Sequence, residues 1–267
     1  MDTINDQIRE LQNSVRRQRL AIVVLAGVLT SVALIGAVRP VGDATFDTVT
    51  CKAWKVVDKD GNPRIAARAI EDGDAGVTWL DREGKLRIVA AMKANGDAGM
   101  TWLDQDEKGR LRVAADADGS AAVTWADRNG KSRLVAATFA NGGAGVTWLD
   151  PNEKTRIEAA TNPNGKADVR WFDSDGKVRI GVATISEGMA SVAWFDKDGI
   201  GRILASTHPD GQARMSWRDK DGKERINAGT SPFGDASVWW SDKDEKERIG
   251  AGVSSDGTVF LPTKDEK

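Results

Sequence analysis

The chain has 267 residues, with 38 Lys and Arg against 40 Asp and Glu, a net charge of −2, one His and one Cys. That balance removes the electrostatic case for nucleic-acid binding. A lone Cys excludes an intrachain disulfide. Single copies of His and Cys leave no His/Cys zinc set and no recurring Ser/His/Asp or Cys/His constellation.

Residues 1–19 are polar with a thin apolar stripe. Ile4, Ile8, Leu11 and Val15 follow one another by four, three and four positions. This spacing fits a short a/d seam, and equally an amphipathic lead-in to the next segment. Residues Leu20 to Val38 are 19 in number and carry no charge, long enough to cross a bilayer as a helix. Arg16, Arg17 and Arg19 precede this run and Arg39 follows it. The bias places the N-terminus in the cytoplasm, the span in the inner membrane and the remainder in the periplasm or outside the cell. A cleaved signal peptide is the rival reading. The long polar start and the lack of a small-x-small site argue for a retained anchor. Residues 39–53 read as a juxtamembrane linker. Its Cys51 either joins two chains or serves as a small residue at the first strand.

From residue 54 to 262 the chain repeats. Trp79, Trp102, Trp125, Trp148, Trp171, Trp194, Trp217 and Trp240 stand 23 residues apart. An Asp follows each Trp by two positions, an Arg by eight and a Gly by seventeen. A fixed period of this length marks a repeat architecture. Asp-Gly and Asn-Gly pairs such as Asp175-Gly176 and Asn129-Gly130 fall between alternating apolar runs, the pattern of a hairpin turn. The spacing predicts a two-residue type I′ turn at Glu83-Gly84 and a three-residue loop at Ala94-Asn95-Gly96, with Gly in the left-handed position. Trp79 then faces Ile88 on one side, and Ile88 faces Trp102 on the other. Three repeats carry Glu107, Glu153 and Glu245 where the others have Gly, which predicts a different turn there.

Each strand alternates between a Trp/Ile/Val/Ala face and a face of Arg, Thr and Leu, the signature of half-buried antiparallel strands. The eight Trps read as the structural core of the repeat rather than as sugar-stacking platforms. Trp239, off that parity, is the one placed to be exposed. In this register Asp81 and Arg87 fall on opposite faces, so no Asp–Arg ladder is expected. The Asp-x-Asp-Gly turns (Asp173 and Asp175, for example) are faintly like calcium loops but lack the remaining ligands. His208 precedes Pro209-Asp210 and reads as a turn residue.

The first repeat holds Val56 in the Trp slot with Trp54 two residues earlier, as expected of a capping unit. The last ends at Leu261-Pro262, where Pro blunts an edge strand, and residues 263–267 form a charged tail. The segments VVDKDGNPRI, WFDSDGKVRI and WRDKDGKERI behind an N-terminal anchor resemble bacterial, largely uncharacterised single-pass proteins with tandem V-D-x-x-G-x-x-R repeats. The 23-residue hairpin period is also similar to that of MORN repeats, although their Tyr-x-Gly-x-Trp signature is missing. Neither resemblance implies a settled activity.

The expected fold is all-β: tandem 23-residue hairpins in an extended antiparallel meander or solenoid-like rod, preceded by one transmembrane α-helix. An open sheet of that length would expose its Trp face. The alternatives are coiling on itself, packing on another chain, or closure, with closure ranked last. The expected role is non-catalytic: a membrane-anchored spacer, scaffold or stalk, or else an accessory subunit of a larger membrane complex. Protein partners or self-association follow from either reading. No cofactor, metal, nucleic acid or small-molecule substrate is implied.

Overall fold

The computed structural model describes residues 9–11, 13–23, 45–69, 73–184 and 188–261. The chain divides into two units, Met1–Cys51 and Lys52–Lys267. In the first, residues 9–11 and 13–23 are helical and exposed, Leu11 and Val15 among them. Most of the uncharged run from 20 to 38 lies outside the described residues, as do Ile4 and Ile8. No helix among the described residues is long and apolar enough to cross a membrane.

The second unit is one antiparallel sheet of nineteen strands, from Ala53–Val57 to Val259–Phe260. Every strand pairs with its neighbours in sequence, and the first and last do not pair with each other, so the meander is open. Closure, the last-ranked alternative, is therefore overturned. The Trp–Ile register is as expected. Trp79 faces Ile88, and Ile88 faces Trp102. The match repeats to the end, with Trp240 flanked by Ile226 and Ile249. Cross-strand aromatic and β-branched pairs of this kind stabilise a sheet by roughly 0.2–1 kcal/mol each.

The turns differ from expectation in an instructive way. The Glu83-Gly84 turn is not a two-residue loop. Asp81 N–H donates to Lys85 O, Gly84 N–H donates to Asp81 O, and Gly84 has φ of 80°. This is a three-residue loop with Gly in the left-handed position, the same form found at Ala94-Asn95-Gly96. The extra loop residue is absorbed by a bulge. Trp79 pairs with Ile88 but Leu80 pairs with Leu86, leaving Arg87 unopposed. A two-residue turn without a bulge and a three-residue turn with one give the same register beyond that point. The bulge recurs in all nine hairpins, and the supernumerary residue is always the Arg of the repeat, from Arg64 to Arg248.

The three Glu turns do not differ from the Gly turns. Glu107, Glu153 and Glu245 adopt φ of 58°, 61° and 63°, and their N–H groups close the same bond to the Asp carbonyl. Each has a reason to be there. Glu107 Oε1 accepts the Leu86 N–H of the preceding hairpin at 2.9 Å, and Glu153 and Glu245 accept from Ser132 and Glu224 in the same way. The left-handed conformation costs a non-Gly residue about 1–2 kcal/mol, which the inter-hairpin bond offsets in part.

Glu107→Ala keeps the strained φ and removes the bond, so it should destabilise the sheet by about 1 kcal/mol. Glu107→Gly loses the bond but relieves the backbone, so it should be nearly neutral. Urea unfolding followed by circular dichroism orders the two variants, and equal losses would show that the Glu side chain contributes nothing.

Candidate functional site

The feature that recurs without exception is the turn aspartate. Asp81 Oδ1 accepts the N–H groups of Glu83 and Lys85, both at 3.0 Å, which folds the loop around the carboxylate. Its Oδ2 meets the Arg87 guanidinium. The same Arg–Asp pair forms in every hairpin, nine times from Asp58–Arg64 to Asp242–Arg248. The expectation that Asp81 and Arg87 lie on opposite faces is thus overturned. Strict alternation holds only in an unbroken strand, and the bulge at Arg87 interrupts it between Leu86 and Ile88.

Six of the nine Args also reach forward to a carbonyl of the next hairpin. Arg87 donates to the carbonyl of Asp104, the turn aspartate of the next hairpin, and Arg64, Arg133 and Arg156 do likewise to Asp81, Asp150 and Asp173. Lys85 Nζ adds a bond to Gln105 O at 3.0 Å, repeated by Lys131, Lys154, Lys177 and Lys223. The opposite margin is laced more lightly. Asp74 and Asp97 accept the N–H groups of Ala94 and Ala117, one period apart. One planar guanidinium therefore joins two turns, which a Lys point charge cannot do with the same geometry.

These contacts hold the turn carboxyls below their ordinary range. At Asp242 the Asp244 N–H is the largest cause. It acts against desolvation, and with Arg248 and the Lys246 N–H it brings the group from 3.8 to about 2. Asp58, Asp104 and Asp173 are lowered mainly by the N–H of the residue four positions on, with their Arg adding to it. At Asp81, Asp127, Asp150, Asp196 and Asp219 desolvation pushes upward and is outweighed by the backbone donors and the Arg.

The Trp face is the second feature. The eight repeat Trps share it with Ile, Val and Ala, as expected, but a single chain does not cover it. No hydrophobic side chain among the described residues is fully buried, and Trp125 is 42% exposed. Beside the Trps, the Val, Ala and Thr positions of this face form two adjoining apolar grooves of about 760 and 990 Å³ that meet at Val182–Thr184. Trp239, predicted to stand exposed, instead lies half-buried on the other face, stacked on Phe260 with ring centroids 5.6 Å apart. Cys51 is exposed and free. His208 sits at a turn, its N–H donating to Gln212 O. No group of three His, Cys, Asp or Glu among the described residues is placed to hold a metal. In the Asp-x-Asp-Gly turns, the first carboxylate is taken up by backbone N–H groups and Arg.

No protein-family model matches the chain, and no curated protein matches it. Among solved structures, the TCP domain of SAS-4 from Drosophila melanogaster, solved in complex with a proline-rich motif of Ana2, is 12% identical. It covers 83% of this chain and 97% of its own length with a TM-score of 0.26. A porin-like protein from Bacteroides uniformis is 9% identical over 78% of this chain and 90% of its own, with a TM-score of 0.18.

Carboxyls with depressed folded values stabilise the fold fully above their unfolded value and lose that contribution as pH falls through the folded value. The melting temperature should therefore be flat from pH 7 to 5, fall below the ordinary carboxyl value of 3.8, and keep falling toward about 2. Thermal melts across that range read it directly. A drop centred above pH 5 would assign acid sensitivity to other groups.

Proposed function

We propose that this chain is a non-catalytic, membrane-anchored β-repeat protein whose sheet serves as a spacer or scaffold on the extracytoplasmic side of the inner membrane. The observation that carries the reading is the uniform stapling of hairpins. Every hairpin has the same turn, the same bulge and the same Arg–Asp pair, and most of the Args also hold the next hairpin. A one-dimensional array of this kind gains stability by nearest-neighbour terms and can be lengthened by whole units. Such a build suits a part that spans or displays. The anchor rests on the 19 uncharged residues from Leu20 to Val38 and the Arg cluster before them. The rod form belongs to the same proposal.

A second reading is favoured by a specific observation. The apolar face, with grooves lined by Val, Ala and Thr, is of a size and character associated with protein interfaces. On this reading the chain is an accessory subunit that docks on a larger membrane complex, or associates with itself, through that face.

The test is fractionation of cells expressing the full chain, followed by alkaline extraction of membranes. The native chain should stay in the pellet, and deletion of residues 20–38 should release it. External protease should reach the repeats only once the outer barrier is opened. Recovery of the native chain in the cytosolic fraction would contradict the anchor. Co-purification of a stoichiometric membrane complex, lost in Val146→Asp and Val192→Asp variants, would select the accessory-subunit reading over the free scaffold.

A further inference from the structure

The repeat departs from its own template on the face opposite the Trp column, toward the C-terminal end. Positions that carry Gly76, Thr78 and Leu80 in an early strand carry Arg214, Ser216 and Arg218 in strand Ala213–Arg218. In strand Ala236–Ser241 they carry Ser237, Trp239 and Ser241. The register aligns these changes in two rows across the sheet. One runs Arg214, Gly229, Ser237, Gly252, Phe260. The other runs Ser216, Asn227, Trp239, Gly250.

The glycines decide the geometry. A Cβ on Gly250 would lie 1.9 Å from Cζ3 of Trp239, and one on Gly252 would lie 2.2 Å from Cζ of Phe260. Both rings therefore lie down over a floor without side chains, with 26° between their planes. Each ring lies against a glycine of the intervening strand, is half-buried, and lines the space above it. The two rings and Arg214 line a cleft of about 470 Å³, with Gly229 and Ser237 between them. From strand Ala213–Arg218 to strand Ala236–Ser241 is two strand spacings, roughly 10 Å.

The polar wall is organised rather than loose. Arg214 Nη2 donates to both oxygens of Glu224, at 2.6 and 2.7 Å. Asn227 Nδ2 donates to Glu224 Oε1 at 2.7 Å. To reach Glu224, Arg214 runs along the Ser216–Asn227 row, and Ser216 is only 4% exposed. The cleft thus sets a flat apolar platform beside fixed planar groups that both donate and accept. Its charge does not favour an anion. Arg214 is neutralised by Glu224, which lies outside the cleft, and Asp235 and Glu247 line the space.

We propose that this cleft is a binding site for a neutral pyranose saccharide. A pyranose has one face of C–H groups that covers an aromatic ring, and a rim of adjacent hydroxyls that match planar donors and acceptors. Trp239 supplies the platform, while Arg214 and Asn227, held in place by Glu224, supply the rim contacts. The site is independent of the scaffold reading and stands or falls separately from it.

Saturation-transfer NMR on the full chain, in a sugar-free zwitterionic detergent, tests it with chitohexaose, cellohexaose and maltohexaose as probes. At least one probe should receive saturation at its ring C–H protons. Trp239→Ala should abolish the signal. Gly250→Val, which keeps the ring but lifts it off its floor, should weaken binding at least tenfold. Arg214→Met should do the same with the platform intact, which keeps the test readable should Trp239→Ala loosen the last hairpin. Trp125→Ala on the other face should change nothing. No transfer to any probe at millimolar concentration would overturn the proposal, as would transfer that survives both Trp239→Ala and Arg214→Met. The rings would then serve only to cover the glycines.

Discussion

The sheet depends on one carboxylate per repeat. The turn aspartate gathers two backbone N–H groups with one oxygen and an Arg with the other, so a single side chain shapes the loop and anchors the bulge. The bulge in turn exists because the loop has three residues rather than two, and it re-aims the Arg. With the Arg re-aimed, its free N–H groups reach the next turn's carbonyl. Loop and bulge are consequences of one arrangement repeated nine times, and the inter-hairpin staple follows from it at six of the nine Args. The Glu turns belong to the same logic, since each substitutes an inter-hairpin bond for the conformational ease of Gly.

This margin matters because the sheet has no interior. A single antiparallel layer has two faces and no residue behind either of them, and no described hydrophobic side chain is fully buried. Stability must come from ladder hydrogen bonds, from Trp–Ile neighbours across strands, and from the lacing at both margins. Individually, exposed ion pairs contribute little. Here most of the guanidiniums are shared between hairpins and each turn carboxylate also serves the backbone, so the effect is on register and on continuity between units.

Much of this was legible in the residues. The 23-residue columns, the meander, the Trp–Ile register and the common face of the Trps all follow from alternation and turn dipeptides. The bulge did not follow, because two turn lengths lead to the same register at Ile88. Strict alternation then placed Arg87 on the wrong face. A clue was present in the invariant six-residue spacing from Asp81 to Arg87, which alternation alone does not require. The Glu turns misled because propensity disfavours Glu at positive φ, while the bond that offsets it lies 21 residues away in sequence. Trp239 was legible as an exception but not in its posture, which depends on Gly250 and Gly252 in the facing strand.

The most direct measurement is a double-mutant cycle on one internal pair, Asp127→Ala and Arg133→Met, singly and together, by urea unfolding. Asp127 also holds two backbone N–H groups, so its single variant should be the more damaging. The double variant should lose clearly less than the two singles combined, because each single already removes the shared contact. Strict additivity would show that the pair does not couple, and the role of the turn aspartate would reduce to its backbone bonds.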